Sequence, residues 1–451
     1  MHCKEHPRPT IRLLALFTVV VALASAASAQ WNDKVLYSFQ GGADAGSVPA
    51  GGVVFDKQGN LYVATTDGGP QSCAPIGGAC GTVYELSPPV KKGGAWTATL
   101  IRMFEGKRSN DASVPTGGLI IDGAGNLYGV TGYGGTGDCI LVGVPAGCGT
   151  VYELSPPAQK GGPWTETILY SFPTSNEGYL PNGNLVFDGA GNLYGATTFG
   201  GGRGTTCDAF YQYCGAVFEL SPPKTKGDKW TEKVLHAFTG GMDGANPNGG
   251  LALDSAGAVY GTTPIGGNSD GECKPNGCGT VFKLAPPTMK GGTWTEKMIH
   301  RFNGKDGSGP NGGLIFDTKG SVYGTSDAAV FRMMPPETGS GPWTQTILYA
   351  FGILANHPGA GVTFDTRGNL YGTTAAGFSS YGTVFRLKPE QTEREWTFSL
   401  IHGFLGAPDG AGPAASMVFD KQGNLYSTTE GGGTGQGCQG NPCGTVFKVS
   451  P

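Results

Sequence analysis

Residues 183–198 read Gly-Asn-Leu-Val-Phe-Asp-Gly-Ala-Gly-Asn-Leu-Tyr-Gly-Ala-Thr-Thr. Two short runs rich in β-favouring residues flank a turn. Asp188 can cap that turn with its carboxylate, and Gly191 can take the positive φ that the turn needs. The pattern Asp-x-x-Gly-x-(Leu/Val)-Tyr recurs seven times, starting at Asp56, Asp122, Asp188, Asp254, Asp317, Asp365 and Asp420, and its Tyr always lies six residues after its Asp.

Two more markers keep the same count. A Trp is followed eight residues later by a Phe, from Trp31/Phe39 to Trp396/Phe404, and this uses all seven tryptophans. Gly-Thr-Val-(Tyr/Phe)-x-Leu, as in Gly149 to Leu154, is the other; it is altered at Gly215-Ala216 and Ala328-Ala329. Together they give four strands per unit: A (Gly183 to Asp188), B (Leu193 to Thr198), C (Ala216 to Leu220) and D (Trp230 to Phe238). No segment after the first 29 residues shows a 3.6-residue period.

Four-stranded units of ~40–65 residues repeated seven times predict an all-β fold, a seven-bladed β-propeller of four-stranded antiparallel blades. The units run near 50–104, 116–172, 182–238, 248–302, 311–351, 360–404 and 413–451, the last completed by 31–39. The phase of the repeat predicts closure. The first strand, Trp31 to Phe39, is a lone D, and the last, Thr445 to Val449, is a C without its D. Pairing them removes two exposed sheet edges.

Residues 1–29 read as a signal peptide, with basic Lys4, Arg8 and Arg12, an apolar core from Leu13 to Ala24, and Ala27-Ser28-Ala29 before Gln30. The core is shorter than the ~20 residues of a membrane span. The remaining 30–451 form one propeller domain, expected to be secreted or periplasmic, monomeric and without a membrane span. Removing Lys4, Glu5, Arg8 and Arg12 takes the net charge from −4 to −6, which argues against a nucleic-acid partner.

The strings Gly-Gly-Leu-x-Phe-Asp-x-x-Gly-Asn-Leu-Tyr-Gly-Thr-Thr and Cys-Gly-Thr-Val-Phe-x-Leu resemble those of the exported GloVer-repeat, or choice-of-anchor, proteins. The resemblance spans the mature chain and implies export with no established activity. At the level of a generic blade the sequence is also similar to NHL and gluconolactonase-type propellers. The latter hold a metal at the channel mouth with carboxylates; here the channel-side residues are Gly-rich with Asn182, Asn248 and Asn311.

The loops break the symmetry. The A–B and C–D connections, on one face, are nearly constant. On the other face the Tyr-to-Val distance across B–C runs 21, 23, 23, 21, 7, 13 and 20 residues, and D–A varies as well. Diversified loops on a rigid scaffold are where binding usually sits, although exposed loops also drift. Short loops in blades 5 and 6 predict a notch lined by Asp327, Asn356, His357, Phe378 and Tyr381. The long loops carry Cys73/Cys80, Cys139/Cys148, Cys207/Cys214, Cys273/Cys278 and Cys438/Cys443. Pairs in an exported chain predict five local disulfides, whereas two thiolates without a nearby His fall short of a zinc site.

Further candidates are Phe210, Tyr211 and Tyr213 in one cysteine loop, which could stack on sugars or anchor a protein. Asp44, Asp111, Glu177, Asp243, Asp306 and Asp409 in the D–A loops form either a carboxylate ring for Ca²⁺ or, the favoured reading, turn caps. No other cofactor or metal is predicted. His236, His300 and His402 stand where other units have Tyr37, Tyr170 and Tyr349. Serine-nucleophile, zinc-protease and phosphate-loop motifs are absent, so no catalytic residue is assigned. The favoured function is a binding scaffold for a glycan or an extracellular or cell-surface protein. The alternatives are a carbohydrate hydrolase or lyase using carboxylates of the variable face, and a structural surface protein.

Overall fold

The computed structural model describes residues 31–43, 45–69, 80–141, 143–174, 177–201, 214–225, 227–289, 291–339, 341–352, 358–376, 381–390, 395–438 and 443–451. Seven antiparallel sheets, each ordered A-B-C-D from the axis outward, form the blades of a propeller. Blade 3 is the model case, with strands Tyr179–Phe187, Leu193–Phe199, Ala216–Ser221 and Thr231–Ala237. The last blade takes its D strand from the start of the chain: Asn32–Ser38 pairs antiparallel with Thr445–Ser450. The expected closure is therefore present.

Strand A differs from its expected form. In blades 4 to 7 it pairs over only two residues, as in Ala252–Leu253, and in blades 1 and 2 it is split in two, as in Ala112–Pro115 and Ile120–Ile121. The cause lies at the axis, where the A segments crowd together. A Cβ on Gly117 would collide with the Gly183 carbonyl oxygen, so a bare backbone is needed there. The axial cavity has a volume of about 240 Å³, lined by glycines with Thr116, Asn182, Asn184, Asn248, Asn311 and Ser416 as polar members.

Each repeat marker has a structural role. Asp56 Oδ1 accepts the N–H groups of Gln58 and Asn60 at 2.9 and 2.8 Å, and Oδ2 accepts the Tyr62 hydroxyl at 3.2 Å. The fixed six-residue spacing is the reach of that last bond, and it recurs from Tyr128 to Tyr426. The same Tyr ring is the socket for the next blade: Trp164 lies edge-on to Tyr62 at 5.5 Å and Trp396 to Tyr323 at 6.4 Å. The marker Phe works on the other side of the strand. Phe104, fully buried, packs on Tyr152 of the following blade, and Phe404 packs likewise on Phe447. Burial of one such ring stabilises by about 2–3 kcal/mol.

Every C–D pair carries a bulge, in blade 3 between Val217 and Phe218, which skips Leu235. Leu235 turns inward, and His236 is re-aimed toward the D–A loop. A second latch joins neighbours. Val48, Val114, Leu180 and Asn246 hold φ of 55° to 61°, each just before a Pro. The N–H of Val114 donates to the Cys80 carbonyl of blade 1 at 2.8 Å, and that of Asn246 to Cys214 of blade 3 at 2.7 Å. A left-handed Val is costly on its own, so the neighbouring blade must hold it.

Candidate functional site

The variable face is set by the B–C connections. Blade 5 joins Val322–Ser326 to Ala329–Met334 through residues 327–328 alone, and blade 6 joins Leu370–Thr374 to Thr383–Pro389 through 375–382. The flanking blade 4 uses 264–279 and blade 7 uses 430–444. The B–C connections of blades 5 and 6 are therefore shorter than those of the blades beside them. In the blade 5 connection, the Asp327 N–H donates to the Ser308 carbonyl at 2.8 Å and the Ser308 hydroxyl donates to Asp327 Oδ2 at 3.2 Å. Tyr381 is 46 % exposed and its ring lies over Gly406, beside Leu405, which is 75 % exposed. Asn356, His357 and Phe378 lie outside the described residues, as do Phe210, Tyr211 and Tyr213.

The long B–C loops are cross-linked. Disulfides join Cys139 to Cys148, Cys273 to Cys278 and Cys438 to Cys443. Cys80 and Cys214 are also disulfide-bonded, while Cys73 and Cys207 lie outside the described residues. Such short loops contribute only about 2–3 kcal/mol each to the ring, so their main effect is to hold loop shape. In blade 2 the pinned loop forms a small hairpin, Ile140–Leu141 with Val144–Pro145, whose Ile140 is 68 % exposed.

The D–A acids are engaged at the blade junctions. Asp111 accepts the Glu105 N–H at 2.7 Å and an Arg102 N–H at 2.5 Å; Arg102 also meets Glu166 of blade 2. Glu177 accepts the Tyr170 hydroxyl at 2.7 Å. Asp243, Asp306 and Asp409 lie 3.5, 3.1 and 3.2 Å from His236, His300 and His402. Each of these three also accepts a backbone N–H of its own loop. Asp44 lies outside the described residues. Among the described residues, three potential metal ligands come within reach of one another once, at Asp33, His402 and Asp409. There the imidazole bridges two carboxylates, with Nδ1 3.4 Å from Asp33 and Nε2 3.2 Å from Asp409.

Two junction acids hold their protons unusually long. Burial, then the charge of Asp111, pushes Glu166 up to about 8, with Arg102 opposing. Burial, then Glu177, pushes Glu232 up to about 7. Burial also raises Glu296 and lowers His300, the latter opposed by Asp306. A carboxyl raised in the folded state contributes stability that is full below its unfolded value and is lost as pH rises through the folded one. The melting temperature should therefore fall between pH 5 and pH 9, and the double substitution Glu166→Gln, Glu232→Gln should flatten that fall. Parallel wild-type and variant profiles in thermal melts at fixed ionic strength would show that these groups are not its source.

The Gloeobacter/Verrucomicrobia repeat matches the sequence over residues 19–269 and 140–351. The chain belongs to the Gloeobacter/Verrucomicrobia repeat family. No curated protein sequence matches it. Among solved structures, this repeat protein is similar to virginiamycin B lyase from Staphylococcus aureus at 10% identity and a TM-score of 0.49, over 94% of this chain and 99% of that one. It is similar to a luciferin-regenerating enzyme at 14% identity and a TM-score of 0.43, over 74% and 90% of the two chains. A gluconolactonase from Xanthomonas campestris matches at 15% identity and a TM-score of 0.35, over 66% and 78%.

Sequence reasoning did not single out the partners of the loop acids in this Gloeobacter/Verrucomicrobia repeat propeller. Asp33, Glu166, Glu232 and Glu296 all stand two residues after a marker Trp. That recurrence is visible in the sequence, but its meaning requires knowing that strand D of one blade faces the D–A loop of the blade before. Asn184 was missed for a similar reason: its Oδ1 accepts the Gly118 N–H of the preceding blade at 2.7 Å, a contact only the ring creates.

Proposed function

We propose that this chain is an exported, non-catalytic binding propeller that takes a glycan or an extracellular protein in the notch over blades 5 and 6. The observation that carries this reading is the drop of the B–C connection to residues 327–328 beside the loop 264–279, which the Cys273–Cys278 bridge holds in shape. The low floor carries Tyr381 and Leu405, exposed apolar side chains of the kind that anchor a sugar ring or a partner side chain. Asp327 supplies a carboxylate in the blade 5 connection. Export is supported by the signal-like first 29 residues and by the disulfides, which persist in oxidising compartments. No helix among the described residues is long and apolar enough to cross a membrane. The test is a glycan and surface-protein array probed with the mature chain and with a variant whose residues 327–328 are replaced by a copy of 264–279.

A further inference from the structure

The opposite face is uniform in length but not in charge. The C-strand residue paired with the marker Tyr is Glu85, Glu153 and Glu219 in blades 1 to 3. It is Lys283, Arg332, Arg386 and Lys448 in blades 4 to 7. The C–D connection, between that strand and the next Trp, carries Lys92, Lys160, Lys226 and Lys290 at one position in blades 1 to 4. Among the described residues this brings Lys160 of blade 2 near Glu85 of blade 1. The positive charge of Lys160 reaches Glu85, offsetting part of the burial that raises that carboxyl.

At the junction of blades 4 and 5 both members of the pair change. Lys283 replaces the acid, and Gly339 replaces the covering Lys. The result is an open groove of about 750 Å³, lined by Tyr260, Phe316 and Trp343 with Lys283, Lys297 and Gly339 at its rim. That volume is within the usual range of small-ligand sites. Lys283 is fixed: its Nζ lies 3.1 Å from Asp254 Oδ2 and 4.9 Å from the centre of the Tyr260 ring. It supplies the donor that Asn60 gives to Asp56 in blade 1, because Ala258 stands at that position in blade 4. Directly across the strand pair from Lys283 is Lys297, an exposed residue. Asp254 balances Lys283, so the exposed Lys297 is the cation that an incoming anion would meet first. Asp317, on the far side of the groove, is occupied by its own turn and by the Tyr323 hydroxyl.

We propose that this groove binds an acidic saccharide, with a sugar ring against Trp343 and Phe316 and its carboxylate between Lys297 and Lys283. The aromatic floor suits the C–H face of a pyranose, and the two lysines select a uronate over a neutral sugar. The site is on the face away from the notch and does not depend on it.

The experiment is calorimetric titration of the intact mature chain with trigalacturonate at low salt, beside neutral galactotriose. Saturable binding of the acidic trisaccharide is expected, weakening as salt is raised. Lys297→Glu should lower its affinity about tenfold, since reversal replaces an attraction by a repulsion. The same variant should keep the wild-type melting temperature, and Lys92→Glu, an equally exposed change on the same face, should bind as wild type. Absence of saturable binding at millimolar ligand, equal binding of the neutral trisaccharide, or wild-type affinity in Lys297→Glu would each overturn the proposal.

Discussion

A chain that starts at residue 40, lacking Trp31 to Phe39, is expected to melt far below the full mature chain. The deleted segment pairs with Thr445–Ser450 from Asn32 opposite Ser450 to Ser38 opposite Thr445, with one bulge between Val35 and Tyr37. It also joins three blades. Trp31 lies 5.8 Å from Tyr371 of blade 6, fully buried Phe39 lies 5.6 Å from Tyr84 of blade 1, and Asp33 faces His402. Loss of the Phe39 ring alone costs about 3–5 kcal/mol, a large part of the ~5–15 kcal/mol that holds a domain folded. Deletion adds an unpaired C-strand edge and a gap against blade 1. Phe39→Ala should accordingly destabilise by about 3–5 kcal/mol in urea unfolding. The truncated chain should regain much of its melting temperature when a peptide of residues 30–40 is added. An unchanged melting temperature without the strand would mean the ring is not held at this seam.

Gly149→Ala is the second large effect, at about 2–5 kcal/mol of destabilisation. Gly149 has φ +97°, and a Cβ there would lie 2.5 Å from Pro181 Cδ of the next blade and collide with the Thr131 carbonyl oxygen. The same Gly-on-Pro contact occurs at Gly81 with Pro115, Gly279 with Pro310 and Gly444 with Pro49. Gly161→Ala is the matched control: φ is +83° but nothing lies within 4 Å, so only the local strain of about 1 kcal/mol is expected. Urea unfolding of the two variants separates steric contact at Thr131 and Pro181 from backbone strain. Equal losses would show that the close contacts at Thr131 and Pro181 contribute nothing.

The contrast between those two glycines shows what the sequence could reveal. Both belong to the repeat, and counting Asp-to-Tyr and Trp-to-Phe spacings was enough for the number of blades and the phase of closure. Those spacings are regular because each marker residue touches the same partner in every copy, as Tyr62 touches Asp56 and Trp164. Contacts between copies were less legible. Leu235 and His236 read as one continuous strand, yet a bulge turns one inward and aims the other at Asp243. The broken A strands follow from crowding of glycines at the axis, which no single repeat encodes. On the functional side, loop lengths pointed to blades 5 and 6. The charge exchange at Lys283 and Gly339 lay on the face that length alone made look uniform.

The notch over blades 5 and 6 is tested most directly by completing the wall. When residues 327–328 are replaced by a copy of 264–279, blade 5 acquires the connection that blade 4 carries. Ligands that the mature chain captures on the array should then be lost, while the melting temperature and trigalacturonate binding on the opposite face stay as in the wild type. Undiminished capture by a folded, wall-completed chain would contradict recognition at the notch.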